Sequence, residues 1–208
     1  MKSLVLLLFF LSIHQLTSAQ FGLTGQFVSG RVSHEETNDL SSKTVDQSAS
    51  GYYLGANYWL RLKNVRLEFF PELGFSRLNT NEADVQGTSV SKWSLTIPAS
   101  FYLLEFKGDC HCPTFSKQND LFKKGFFLQL ITSLEHEKAN LDTTMEKWHQ
   151  NLGLGIGTGL DIGISDFLTI TPLIQYLKTV VTTKDAAQPG TSSALKAGIR
   201  IIFRPDYH

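Results

Sequence analysis

Apolar and non-apolar residues alternate with almost no break through residues 152–164, LGLGIGTGLDIGI. Leu152, Leu154, Ile156, Leu160 and Ile162 fall on one parity, and Gly153, Gly155, Gly157, Gly159, Asp161 and Gly163 on the other. A period of two is that of a β-strand whose two faces meet different surroundings. One face is smooth and apolar; the other is nearly bare backbone with one carboxylate. Such a strand suits a wall between lipid and the inside of a narrow barrel.

Seven weaker alternations accompany it. They predict strands at 21–31, 51–61, 65–77, 92–106, 125–136, 167–181 and 193–203, with the sixth strand spanning 148–164. In the third, Val65, Leu67, Phe69, Pro71, Leu73 and Phe75 alternate with Arg66, Glu68, Phe70, Glu72, Gly74 and Ser76. In the second, Tyr52, Leu54, Ala56, Tyr58 and Leu60 are assigned outward, and in the last Leu195, Ala197, Ile199, Ile201 and Phe203. The stretches after strands one, three, five and seven (32–50, 78–91, 137–147 and 182–192) read as long polar loops, whereas 62–64 and 165–166 read as tight turns. Long loops at one end, short turns at the other and an even strand number match a closed barrel, in which every backbone group is paired. The prediction is an all-β, eight-stranded antiparallel transmembrane β-barrel, an up-and-down meander with both termini periplasmic. One connection departs from this pattern. Residues 107–124, KGDCHCPTFSKQNDLFKK, form a long charged insertion on the side expected to be periplasmic.

Tyr52, Tyr53, Trp93 and Trp148 fall near one set of strand ends, and Trp59, Phe101, Tyr102 and Phe203 near the other. Two aromatic girdles are the expected reading. The alternative is that these rings fill a soluble sandwich or lipocalin-like barrel, which would point its apolar side inward.

The first residues sharpen the location. Lys2, the apolar run Leu4–Ile13 and the small residues Thr17-Ser18-Ala19 read as a signal peptide over 1–19, with cleavage near Ala19-Gln20. Residues 20–208 are then one outer-membrane barrel domain. The chain carries 19 basic and 19 acidic residues, and loss of Lys2 leaves a net charge of −1. That balance argues against a nucleic-acid partner held through phosphates. No later segment reaches the eighteen or so apolar residues of a transmembrane helix.

The leader ending TSAQ, the Gly-alternating strand LGLGIGTGLDIGI and the final strand KAGIRIIF together resemble the small outer-membrane β-barrel proteins of Bacteroidota, the group that includes PorT-like proteins. The resemblance covers essentially the whole chain after the leader. It implies eight antiparallel strands and insertion by the outer-membrane assembly machinery, which reads a terminal strand with a final aromatic, here Phe203. Five residues, Arg204–His208, follow that aromatic, a departure from the simplest form of the signal. Some relatives assist the type IX secretion system, and no residue carries that role over to this chain.

Charges of both signs collect on the faces assigned inward. Arg66, Lys92, Lys196 and Arg200 oppose Glu68, Glu72, Glu135 and Asp161. An eight-stranded barrel is just wide enough for side chains, so these charges are expected to pair and plug the lumen. A conducting pore would need a wider barrel or a lining of one sign. The glycines of strand six are expected to make room for Phe127, Gln129, Leu173 and Gln175. Cys110-His111-Cys112 lies in the insertion, where an oxidising compartment favours a disulfide or a bridge to another chain. A zinc site would need a further ligand. Ser133, Glu135, His136 and His149 gather near one end, but parity splits them between the faces, and no G-x-S-x-G elbow is present. The reading is therefore a non-enzymatic barrel without catalytic residues, metal or cofactor, acting in structure, adhesion or binding. Its partners would be outer-membrane lipid, the assembly machinery, and proteins held by the outer loops and by 107–124. The alternatives are an accessory subunit of a secretion or surface-assembly complex and a lipid-modifying barrel enzyme.

Overall fold

The computed structural model describes residues 20–38, 41–62, 65–80, 89–105, 121–140, 148–165, 167–182 and 190–203. The first two strands, β1 (Phe21–Asn38) and β2 (Ser41–Tyr58), form one long hairpin whose register closes at Asn38↔Ser41. β2 is prolonged by β3 (Leu60–Arg61), which turns into β4 (Leu67–Phe69). β5 (Glu72–Thr80) continues the same stave as β4, and β6 (Ser89–Phe101) pairs with both.

A short helix, α1 (Leu121–Gly125), leads into β7 (Phe126–Asn140). β8 (Trp148–Leu160) and β9 (Ile162–Gly163) make the sixth stave, β10 (Leu168–Thr182) the seventh and β11 (Gly190–Phe203) the eighth. β11 pairs antiparallel with β1 from Phe21↔Phe203 onward, so the sheet closes on itself. The fold is the expected eight-stranded antiparallel barrel, with each stave beside its neighbours in sequence.

Of the breaks along the staves, the one at Pro71 has its reason in the sequence. Pro71 has no N–H to give the ladder, and pairing lapses between β4 and β5. There the Phe70 N–H bonds the Pro98 carbonyl (3.0 Å) and the Tyr58 N–H bonds the Pro71 carbonyl (3.0 Å). In the sixth stave the break falls at Asp161, whose N–H bonds the Gly125 carbonyl at 3.0 Å.

The long polar loops are corrected. The stretch 32–50 is mostly hairpin, β5 reaches Thr80, β7 reaches Asn140 and β11 starts at Gly190. Alternation persists there on the inward parity, with Val32, Ala49, Leu78 and Val90 all buried. The outward parity turns polar there, as at Arg31, Ser48 and Asn79. The loop reading followed the outward face and missed the inward one.

The girdle assignment is corrected as well. Tyr52, Trp93 and Phe203 do stand exposed on the outer wall. Tyr53, Trp59 and Tyr102 are buried inside the barrel, because each lies one residue off its strand's outward parity. Residues 1–19, most of the 107–124 insertion with Cys110 and Cys112, and the side chains of Trp148 and His149 lie outside the described residues.

Candidate functional site: the interior polar column

Alternation sends every second side chain inward. In this chain the inward set joins polar, charged and aromatic residues to an aliphatic cluster of Val28, Val32, Ala49, Leu78, Val90 and Ala194. All eight charges assigned to the lumen from sequence (Arg66, Glu68, Glu72, Lys92, Glu135, Asp161, Lys196 and Arg200) are buried. They fall into three tiers.

The tier at the short-turn end gathers Glu68, Asp161, Arg66 and Arg200. The Trp59 indole N–H donates to Glu68 Oε2 at 2.7 Å. The Tyr102 hydroxyl is shared between Glu68 Oε2, at 3.0 Å, and Asp161. Thr171 Oγ1 donates to the other Asp161 oxygen at 2.5 Å, and Arg200 Nη2 lies 3.7 Å from that oxygen. The two guanidinium groups rest on rings: Arg66 lies 4.1 Å from the Tyr102 centroid and Arg200 3.6 Å from that of Phe70. Cation–π contact gains strength when water is excluded, so both rings help to hold these arginines in the interior.

Glu72 anchors the middle tier. Its carboxylate accepts from Tyr53 Oη (2.6 Å), Thr24 Oγ1 and Asn57 Nδ2 (3.2 Å). The Lys196 ammonium lies 4.1 Å from the Tyr53 ring centroid. A row of amides then crosses the barrel. Gln26 donates to Gln175 (3.0 Å), Gln175 to Gln129 (3.0 Å) and Gln129 to Ser100 Oγ (2.8 Å).

The third tier lies toward the long hairpins. Lys92 Nζ binds Glu135 Oε2 at 3.0 Å. Glu137 is also fully buried here, accepting from Asn151 Nδ2 (2.9 Å) and from the Thr191 N–H (2.9 Å). The sequence reading placed Glu137 in a loop and missed it, although it continues the parity of Ser133 and Glu135. A small cavity of about 10 Å³ with a mixed lining, Lys92, Glu135, Thr179 and Thr191 beside Leu177 and Ala194, has room for about one water.

The glycines make this packing possible. The Tyr53 ring occupies the space a side chain at Gly74 would need. A Cβ at Gly157 would stand 3.0 Å from Gln175 Cγ and 3.2 Å from Gln129 Oε1, and one at Gly159 2.5 Å from Phe127 Cζ. The glycine column of the sixth stave thus faces Phe127, Gln129, Leu173 and Gln175, and Leu177 joins them against Gly155.

This arrangement neutralises and fills an interior. Buried charge is costly unless paired and hydrogen-bonded, and these groups are held by neighbours from across the barrel. The geometry holds no acyl-transfer set among the described residues. Ser133 Oγ donates to Glu135 Oε1 at 3.3 Å inside, while the His136 side chain stands on the outer face. No cluster of His, Cys, Asp and Glu with the makings of a metal site occurs among the described residues.

No family model and no curated protein matches the sequence. Solved structures do. Neisserial surface protein A superposes with a TM-score of 0.53 at 13% identity, covering 88% of this chain and 96% of that one. The outer membrane protein OprG from Pseudomonas aeruginosa gives 0.46 at 10% identity over 90% and 97%. Ail, the attachment invasion locus protein of Yersinia pestis, gives 0.40 at 14% identity over 88% and 99%. At these identities the likeness is one of fold: the chain is a small, closed, eight-stranded β-barrel of the kind seen in Neisserial surface protein A.

Proposed function

We propose that this chain spans an outer membrane as a barrel sealed by its own side chains, is not an enzyme, and works by binding at its two ends. The observation that carries the reading is the inversion of the barrel wall. Outward positions on all eight staves carry exposed large apolar residues, such as Leu23, Leu54, Leu73, Ile97, Leu130, Ile156, Ile174 and Ile199. Inward positions carry the ionic column. An exposed apolar surface that girdles a whole molecule is a liability in water and fits a lipid surround. The filled interior supports a closed lumen rather than a conducting one.

Binding is then left to the ends, where the strands outrun the apolar belt. The hairpin end is polar, and the opposite end carries the 107–124 insertion. Both termini belong on the periplasmic side in this reading. The finer likeness to PorT-like proteins rests on the leader, the Gly-alternating strand and the terminal strand. Separation of His136 from Ser133 and Glu135 supports a non-enzymatic role. The test combines fractionation, heat-modifiable mobility on a gel and planar-bilayer conductance. The expected outcome is an outer-membrane species that shifts on boiling and conducts no steady current; a soluble periplasmic pool overturns the reading. Pull-down with and without residues 109–120 then shows whether the insertion recruits partners.

A further inference from the structure

The outer wall is not uniformly convex. A concavity of about 660 Å³ lies on its outward face, within the range of ligand-sized pockets. The register explains it. Phe69, Ala99, Leu130, Ile156 and Tyr176 form one continuous cross-strand row over β4, β6, β7, β8 and β10. The next row sets Ile97 against Thr132 and Thr132 against Leu154. The outward residues of this block are large at every point but two: Ala99 and Thr132 sit on a diagonal, and the wall dips between their larger neighbours. Phe69 and Tyr176 raise its two ends.

We propose that this trough is a binding site for one acyl chain of a membrane lipid. The proposal rests on the membrane-spanning reading above. The occupant follows from where the trough lies. It is continuous with the apolar belt, is lined by hydrocarbon apart from the Thr132 and Tyr176 hydroxyls, and is closed from the lumen by the unbroken pairing of β6, β7 and β8. An unbranched chain meets it by lateral diffusion and loses contact with other lipids only on one side. Dispersion contact scales with the number of neighbouring atoms, so a tail seated between Ile97, Leu130, Leu154 and Ile156 is held longer than one against a convex part of the wall.

The test reconstitutes the full chain in phosphatidylcholine vesicles containing a phosphatidylcholine with a nitroxide near the end of one acyl chain. Spin-resonance spectra count the motionally restricted lipids per barrel. Ala99→Phe fills the trough and is expected to remove one slowly exchanging lipid, while Ala56→Phe on the opposite wall leaves the number unchanged. Ala99→Leu is the milder filler should the phenylalanine variant not fold. Equal numbers in wild type and fillers overturn the acyl-chain site and leave the membrane reading intact. Barrel-to-barrel crosslinks in wild type that the fillers abolish also overturn it, since the occupant is then a second copy of this chain. Absence of any restricted lipid in wild type overturns both.

Discussion

Gln129 and Leu130 are consecutive in β7, yet Gln129 is 2% exposed and Leu130 58%. In a water-soluble sheet these values would be exchanged. A related contrast runs around the barrel: the exposed face is mostly Leu, Ile and Phe, whereas the buried face holds the Glu, Lys, Arg, Gln and Tyr side chains beside a smaller set of Val, Ala, Leu and Ile. The difference teaches that burial has separate causes on the two faces. The inner face is held by pairing specific polar atoms, so loss of one atom strands another. The outer face is held by contact with a fluid apolar medium, so it tolerates a change of shape but not of polarity.

Three substitutions break or sharpen this comparison. The largest effect is expected from Lys92→Met, which leaves Glu135 without its ammonium partner in a water-poor interior. Removal of one member of a buried pair costs about 3–5 kcal/mol. The double variant Lys92→Met/Glu135→Leu is expected to recover most of that loss. Urea titration of vesicle-folded protein measures both, and a double variant no better than the single one would contradict a paired interior. On the outer wall, Ile199→Arg places a charge within the apolar belt and is expected to cost about 2–4 kcal/mol. Unchanged stability on urea titration would place that wall in water. The smallest effect is expected from Gly159→Ala, whose methyl group meets Phe127 and the Pro172 carbonyl. Overpacking of this kind costs about 1–3 kcal/mol. An unchanged urea midpoint would show that the ring yields freely and that the glycine column is not needed for space.

Much of this was legible from parity. A period of two sorts side chains between faces without knowledge of the partner strand, so the eight inward charges could be named one by one. Parity also assigns Tyr53, Trp59 and Tyr102 inward; the expectation of a girdle overrode it, because aromatics near strand ends suggest membrane interfaces. Glu137 escaped for a related reason. Its outward neighbours are polar, and the strand was ended too soon.

The pairings were not legible. Lys92 stands directly across from Glu137 in the register of β6 and β7, yet its ammonium binds Glu135, one pleat along. Glu137 is satisfied instead from the far side, by Asn151 and Thr191. Tyr102 joins Glu68 to Asp161, residues that share no strand. The sequence alone therefore determined the wall: strand type, strand number and which residues face inward or outward, since these depend on local alternation. The tertiary structure alone decided the pairings within the plug, and the trough. Both depend on how eight strands are staggered when the barrel closes, and that stagger sets which side chains meet at each level.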